Sequence, residues 1–284
     1  MSRRIEPGRA VVPDALRKRA GGRRLRFWKM AAAGNDFVLV DSEVSRPQAL
    51  ARRLCGRREG VGADGLLVAR RVAGGVTLRY FNADGSVAFC GNGTRCAAWW
   101  AFVRGWAGRR MRLWTSAGVI AAQVDGRERV TLAMPEPKGL RLGLALRLLG
   151  RRFVAHLVDT GVPHAVVPVP ELTDFPVSEF GRAIRRHRVF GRAGVNVDFV
   201  CRTGRALCLR TYERGVEDET WACGTGAVAA AVVGWKLGWV RPPVMVRVRS
   251  GQTLTVSFQA EGDSAQDVRL SGPAQIVFSG EVEL

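Results

Sequence analysis

The chain has 284 residues, 47% of them apolar, enough for two domains or for one large one with a sizeable core. No run of 18 apolar residues occurs, which excludes an ordinary membrane-spanning helix. The formal charge is +19, from 44 basic and 25 acidic residues. The basic residues are nearly all Arg, they are scattered, and no nucleic-acid-binding motif accompanies them. The charge therefore reads as a solvated surface, with neither nucleic acid nor membrane expected as a partner.

Residues 1–24 carry a strong basic excess and no apolar run of the kind a secretory signal needs. They are expected to form a mobile basic tail. The six cysteines, Cys55, Cys90, Cys96, Cys201, Cys208 and Cys223, never form C-x-x-C, which points to free thiols in a reducing cytoplasm. With only three histidines beside them, no metal site is expected.

From Leu25 onward, LRFWKM and DFVLVD read as short strands joined at Gly34-Asn35. Residues 46–58 read as a helix, GADGLLVARR leads into a strand, and VTLRYF (76–81) is another. NADG (82–85) is a turn, and residues 92–104 form a helix. Strands follow near 111–115, 118–124 and 129–134, and the Pro-rich MPEPKG (134–139) reads as a linker. The second half repeats the plan. Strands are expected near 152–158, 164–169, 196–201 and 206–212, with a helix over 176–187. The loop 213–222 leads to a helix over 224–237, then to strands at 244–249, 253–259 and 266–270 and a final strand in AQIVFSGEVEL. Each half thus runs strands, loop, Cys-Gly-x-Gly, helix, strands. This weak internal repeat predicts an α+β fold of two pseudo-symmetric domains facing each other. The expected division is an N-terminal domain over 25–135, joined by the final strand 274–284, and a C-terminal domain over 136–273.

FCGNGTRC (89–96) and ACGTGA (222–227) each set a cysteine at the mouth of a helix, where the macrodipole favours negative charge and lowers a thiol's pKa. Two such thiols could be redox partners, metal ligands, or an acid and a base. The third option fits the duplication best. If the halves face each other, Cys90 and Cys223 meet across a cleft, one removing a proton from a carbon centre and the other delivering one to the opposite face. The amides around Gly91-Asn92 and Gly224-Thr225 could hold the adjoining carboxylate and stabilise the charge that builds on it.

These segments resemble the diaminopimelate epimerases, over about residues 25–284. AAAGNDFVLVD, VGADGLL, FNADGSVAFCGNGTRC, TSAG, GVPHAVV, GVNVDFV, YERGVEDETWACGTGAVAAA and GPAQIVFSGE occur in the family's order. The resemblance implies a cofactor-independent isomerase that interconverts LL- and meso-diaminopimelate in lysine and peptidoglycan biosynthesis. It implies two domains, each a strongly curved sheet around a central helix, and a homodimer. It implies Cys90 and Cys223 as the acid–base pair, with His164 and Glu213 assisting. Substrate contacts would come from Asn35, Asn82, Asn196, Glu213 and Arg214, and the reacting carboxylate would lie on the amides of Gly91, Asn92, Gly224 and Thr225. Glu213-Arg214 would supply the charged pair for the substrate's distal ammonium and carboxylate. The remaining cysteines read as small packing residues.

Two departures bear on substrate identity. Where the family usually has Gly-Asn-Pro-His, with an Asn that contacts the distal end of the substrate, this chain has Gly161-Val162-Pro163-His164. Where the family has His-Gly-Leu before Gly-Asn-Asp, it has Ala31-Ala32-Ala33. A racemase or epimerase of another amino acid on the same scaffold is the first alternative, and a non-catalytic basic binding protein the second.

Overall fold

A computed structural model describes residues 24–284 of the chain. The expected basic tail lies outside the described residues except for Arg24, which begins the first strand. In the first half, β1 (Arg24–Ala32) and β2 (Asn35–Val40) precede helix α1 (Pro47–Cys55). Then come β3 (Gly65–Val72), β4 (Gly75–Asn82), a short β5 (Val87–Ala88), helix α2 (Gly91–Val103), and β6 (Arg110–Thr115), β7 (Gly118–Gly126) and β8 (Arg129–Ala133). In the second half, β9 (Lys138–Leu148) leads to β10 (Arg151–Asp159), β11 (Pro163–Pro168) and helix α3 (Val177–Arg185). After them come β12 (Asn196–Thr203), β13 (Ala206–Glu213), a short β14 (Asp218–Thr220) and helix α4 (Gly224–Lys236). The chain closes with β15 (Val244–Val248), β16 (Thr253–Glu261), β17 (Ser264–Pro273) and β18 (Gln275–Glu283).

The strand pairing makes the repeat explicit. β1 pairs antiparallel with β2, β2 parallel with β3, β3 antiparallel with β4, and β4 parallel with β6, which continues antiparallel into β7 and β8. β10 to β17 reproduce this pattern step for step. The parallel steps fall where a helix supplies the crossover: α1 and α3 after the second strand, α2 and α4 after the short fifth one. β17 pairs with β8, and β18 returns to pair with β1, so the halves are hydrogen-bonded to each other.

Composition explains which helix lies inside. In α2 the residues Asn92–Ala98 are buried without a break, and in α4 so are Gly226–Gly234. A helix buried all round has no solvent face to furnish with charge, and these two carry almost none. Each sheet wraps its own: Trp28, Phe37, Leu67 and Leu113 around α2, and Val158, Leu209, Val246 and Leu270 around α4. Met134, between the halves, packs against both cores. α1 and α3 are amphipathic and cover the outer faces, with Leu50 and Leu54, or Phe180 and Ile184, turned inward. The fold is the expected α+β pair of curved sheets around central helices.

One expectation is corrected. The segment read as a linker ends at Lys138, where an eleven-residue strand, β9, begins and pairs with β10. Its alternation of Leu with Arg, Gly and Ala from Leu140 to Leu148 is a period-2 signal, yet of these leucines only Leu146 is fully buried, because β9 lies at an edge. No described helix is long and apolar enough to cross a membrane.

Candidate active site

Cys90 and Cys223 are the residues immediately before α2 and α4, both with extended backbone, at φ −139° and −114°. They are structurally equivalent, each following the short fifth strand of its repeat. Gly91 and Asn92, and Gly224 and Thr225, form the first turns, where amides have no partner within their own helix. The third position must be glycine at both mouths. A Cβ on Gly93 would come within 2.9 Å of Leu67 Cδ2, and one on Gly226 within 2.4 Å of Asp198 Oδ1.

The residue two beyond each cysteine carries a different task in each half. Asn92 is buried and donates from Nδ2 to Asn35 Oδ1 (2.7 Å) and across the halves to Ala222 O (3.3 Å), next to Cys223. Thr225 lies between Cys223 Sγ, at 3.4 Å, and His164 Nε2, at 2.9 Å. The Asn92 bond therefore ties one helix mouth to the other. Glu213, at the end of β13, lies close enough that its negative charge acts on both thiols.

His164 opens β11 opposite Asn196 on the parallel neighbour β12. Its Nδ1 is 2.6 Å from Asp198 Oδ2, and Thr211 Oγ1 donates to Asp198 Oδ1 at 2.7 Å. Asn196 Oδ1 accepts from the Arg214 amide at 2.8 Å, which turns its Nδ2 toward His164 Nε2 at 3.3 Å. With Nε2 accepting, the neutral ring carries its proton on Nδ1, toward Asp198. A directed chain results, from Cys223 S–H to Thr225 O–H to His164 Nε2. Among the described residues no hydrogen bond joins His164 directly to either thiol, so its reach to Cys223 runs through Thr225.

The other expected site residues divide. Asn35, at the start of β2, is held at both ends of its amide, donating to Asp64 Oδ2 (2.8 Å) and accepting from Asn92. Asp64 is fixed in turn by Arg57 and by Asp36 on β2, whose amide donates to Asp64 Oδ2 and whose Oδ1 accepts from the Asp64 amide. Asn82 ends β4 and spends its side-chain amide on Ser86 Oγ in the turn it begins. Glu213 and Arg214 follow one another at the end of β13. Glu213 accepts from Thr220 Oγ1 at 2.6 Å, and Arg214 turns its guanidinium to Gly194 O. Successive residues of an extended chain point opposite ways, so adjacency in sequence separates the two.

The thiols also differ from expectation. A helix mouth alone would lower their pKa values, but here burial outweighs it. Burial pushes the Cys90 thiol up to about 11, with the Glu213 charge adding and the Gly93 amide opposing. Cys223 is raised well above the ordinary thiol value by burial, then by the charges of Glu213 and Asp198. Burial likewise raises the Glu213 carboxyl above its usual range. Both thiols therefore hold their protons at neutral pH. Cys223 is buried and Cys90 partly accessible. Two surface cavities, of about 750 and 540 Å³, open on the outer faces of the sheets and include neither thiol.

Sequence reasoning missed Asp198, Thr211 and Arg95. Asp198 carried a signal: an acidic residue inside the apolar strand NVDFV must be buried, and a buried carboxylate needs a partner. Arg95 is fully buried in α2, donates to Asn92 Oδ1 at 2.5 Å and spans to Pro273 O on β17.

The sequence profile described as Diaminopimelate epimerase matches residues 27–139 and 156–277. A diaminopimelate epimerase from Aquifex aeolicus is 38% identical over 275 residues, 91% of this chain and 98% of that protein. One from Halorhodospira halophila is 41% identical over 282 residues, 92% of this chain and 96% of that one. Among solved structures, a hydroxyproline epimerase from Agrobacterium vitis with bound trans-4-hydroxy-L-proline superposes with a TM-score of 0.71 at 18% identity, covering 93% of this chain and 94% of that one. A Bacillus anthracis phenazine biosynthesis protein of the PhzF family superposes at 0.66 and 15% identity, covering 92% of this chain and all of that one. At such identities these two speak for the fold alone. The profile and the relatives, which run nearly end to end with the described residues and include both thiol-bearing helix mouths, establish that the chain belongs to the diaminopimelate epimerase family.

Proposed function

We propose that this chain interconverts LL- and meso-diaminopimelate by moving a proton between two thiols on opposite faces of the α-carbon, a step of lysine and peptidoglycan biosynthesis. The observation that carries the reading is the pair of equivalent helix mouths, each headed by a cysteine and joined by the bond from Asn92 to Ala222 O. The substrate carboxylate lies on the amides of Gly91, Asn92, Gly224 and Thr225, where the charge that builds on deprotonation meets preorganised donors. Cys223 becomes a base by passing its proton through Thr225 to His164, whose imidazolium Asp198 then stabilises. Cys90 delivers its proton to the other face, and the roles exchange for the reverse reaction. The charge of Glu213, felt by both thiols, keeps the pair from ionising together.

We further propose that the repeats act as two lobes, 25–135 with 274–284 and 136–273, that part to admit a small-molecule amino acid, and that the enzyme works as a homodimer in the cytoplasm. Val162 favours one second reading. It is half-buried in the turn just before His164, its carbonyl accepting from the Thr160 amide, and its apolar side chain suits an amino acid with a shorter or apolar distal end.

The deciding experiment is turnover in D₂O with LL-diaminopimelate and a panel of single-centre amino acids. The expected product is meso-diaminopimelate with one solvent deuterium at the inverted carbon. Fast exchange of another amino acid, with diaminopimelate inert, would transfer the assignment to that substrate. Exchange of none would leave a binding protein.

A further inference from the structure

β12 and β13 form a hairpin, and Cys201 and Cys208 are directly opposite one another in its register. Directly opposed residues of an antiparallel pair have Cα atoms about 4.5–5.5 Å apart, inside the roughly 4.4–6.8 Å range of disulfides. Both are free thiols with part of their surface accessible, and Cys208 lies close enough for its charge to act on Cys201. They line the 540 Å³ surface cavity together with Arg202, Arg247 and Arg249. Arg247 Nη2 donates to Cys208 Sγ at 3.5 Å, and Thr203 Oγ1 lies 3.4 Å from the same sulfur. A guanidinium and a hydroxyl thus face Cys208, while burial and the neighbouring sulfur push the Cys201 thiol up against the opposing pull of Thr203 and Arg247. One sulfur is set to attack and the other to follow. Of the catalytic thiols Cys223 is fully buried, and burial holds both in the protonated form.

We infer that Cys201 and Cys208 form a redox-active dithiol, a modification site on the outer face that takes up peroxide before the catalytic cysteines do. The Cys208 thiolate attacks one peroxide oxygen. The O–O bond breaks, and the departing hydroxide takes a proton to become water, leaving a sulfenic acid on Cys208. Cys201 sulfur then attacks Cys208 Sγ. The S–S bond forms, the S–O bond breaks, and the second oxygen leaves as water with the Cys201 proton. Two thiols and one hydrogen peroxide become one disulfide and two waters, and a dithiol reductant reverses the change. The staple closes the hairpin near its turn. Asn196 and Glu213 are each five residues further along their strands, about 17 Å away at roughly 3.3 Å per residue, so the oxidised pair leaves the site in register.

The test uses the full chain and hydrogen peroxide as the probe. Cleavage after Arg202 and Arg205 puts the two cysteines on separate peptides, so the disulfide is read by mass as a linked pair that dithiothreitol separates. The linked pair is expected to accumulate at least about tenfold faster than Cys90 or Cys223 loses alkylatable thiol. In Cys208→Ser, oxidation of Cys201 should slow by at least about tenfold, since its partner sulfur is gone. In Cys201→Ser, Cys208 should proceed to sulfinic acid instead of a disulfide. Loss of the catalytic thiols first, sulfinic acids on both residues of the wild-type pair without linkage, or unchanged Cys201 oxidation in Cys208→Ser would each overturn the inference. Peptide masses give the answer whatever substrate the enzyme turns over.

Discussion

His164 Nδ1 and Asp198 Oδ2 stand 2.6 Å apart with no exposed surface on either side chain, and the other ring nitrogen is one hydroxyl away from Cys223. The pair fixes which nitrogen of the ring can accept. Asp198→Asn keeps the shape and removes the charge that stabilises a protonated ring. We expect kcat/KM for epimerisation to fall by about 10²–10⁴, the usual size of a general acid–base contribution, with the folded structure retained by circular dichroism. Gly226→Ala should act on the same pair, because its Cβ would intrude to 2.4 Å from Asp198 Oδ1. Normal turnover in Asp198→Asn would remove His164 from the proton path.

Cys90→Ala and Cys223→Ala should each abolish epimerisation in a folded protein. The raised thiol values add a pH dependence. Unfolded Cys ionises near ~8.5, whereas Cys90 in the fold holds its proton up to about 11. Its contribution to stability is complete below the unfolded value and is lost as pH rises toward about 11. Urea unfolding at several alkaline pH values should show wild-type stability falling through this window, and Cys90→Ala should fall less steeply. Equal slopes would mean that burial does not raise this thiol.

Val162→Asn separates the two substrate readings. With diaminopimelate as substrate, a restored hydrogen bond should raise kcat/KM by roughly two- to tenfold, the value of about 0.5–1.5 kcal/mol. A shorter or apolar substrate should instead be turned over more slowly by the variant.

Gly34 is the point where the β1–β2 turn of the first half meets the second half. At φ +97° it sits where a Cβ would come within 2.5 Å of Ser250 Cβ and 2.9 Å of Trp221 Cβ. Ser250 Oγ donates to Ala33 O across the same contact. Gly34→Ala should lower stability by about 1–3 kcal/mol, as overpacking does, and reduce turnover. Adding Ser250→Gly should recover part of the loss in thermal unfolding. A single variant with unchanged melting would show that the turn gives way.

The helix mouths were legible because glycine, cysteine and a run of small residues leave a local mark, and the duplicated order exposed the repeat. Asp198 was harder, since its role depends on β11 lying parallel to β12, a pairing no local pattern specifies. The thiol acidities depended on enclosure by residues from both halves, which a helix start does not reveal. β5 and β14, two and three residues long, were too short to carry a period. Cys201 and Cys208 looked like packing residues until the hairpin register set them face to face.

β18, the last strand, is the outer neighbour of β1, the first; Phe278 meets Phe27 edge-on, and Arg53 donates to the carbonyl of Glu283. The order of synthesis and the order of completion therefore differ. At roughly 5–20 residues per second, the helix behind Cys90 emerges on the order of ten seconds before the strand that closes its sheet is made. The lobe begun first is finished last, so a nascent chain that stops short of β18 carries both thiols and an open edge along β1. Completion of β18 is the event that closes the sheet of the first lobe at β1.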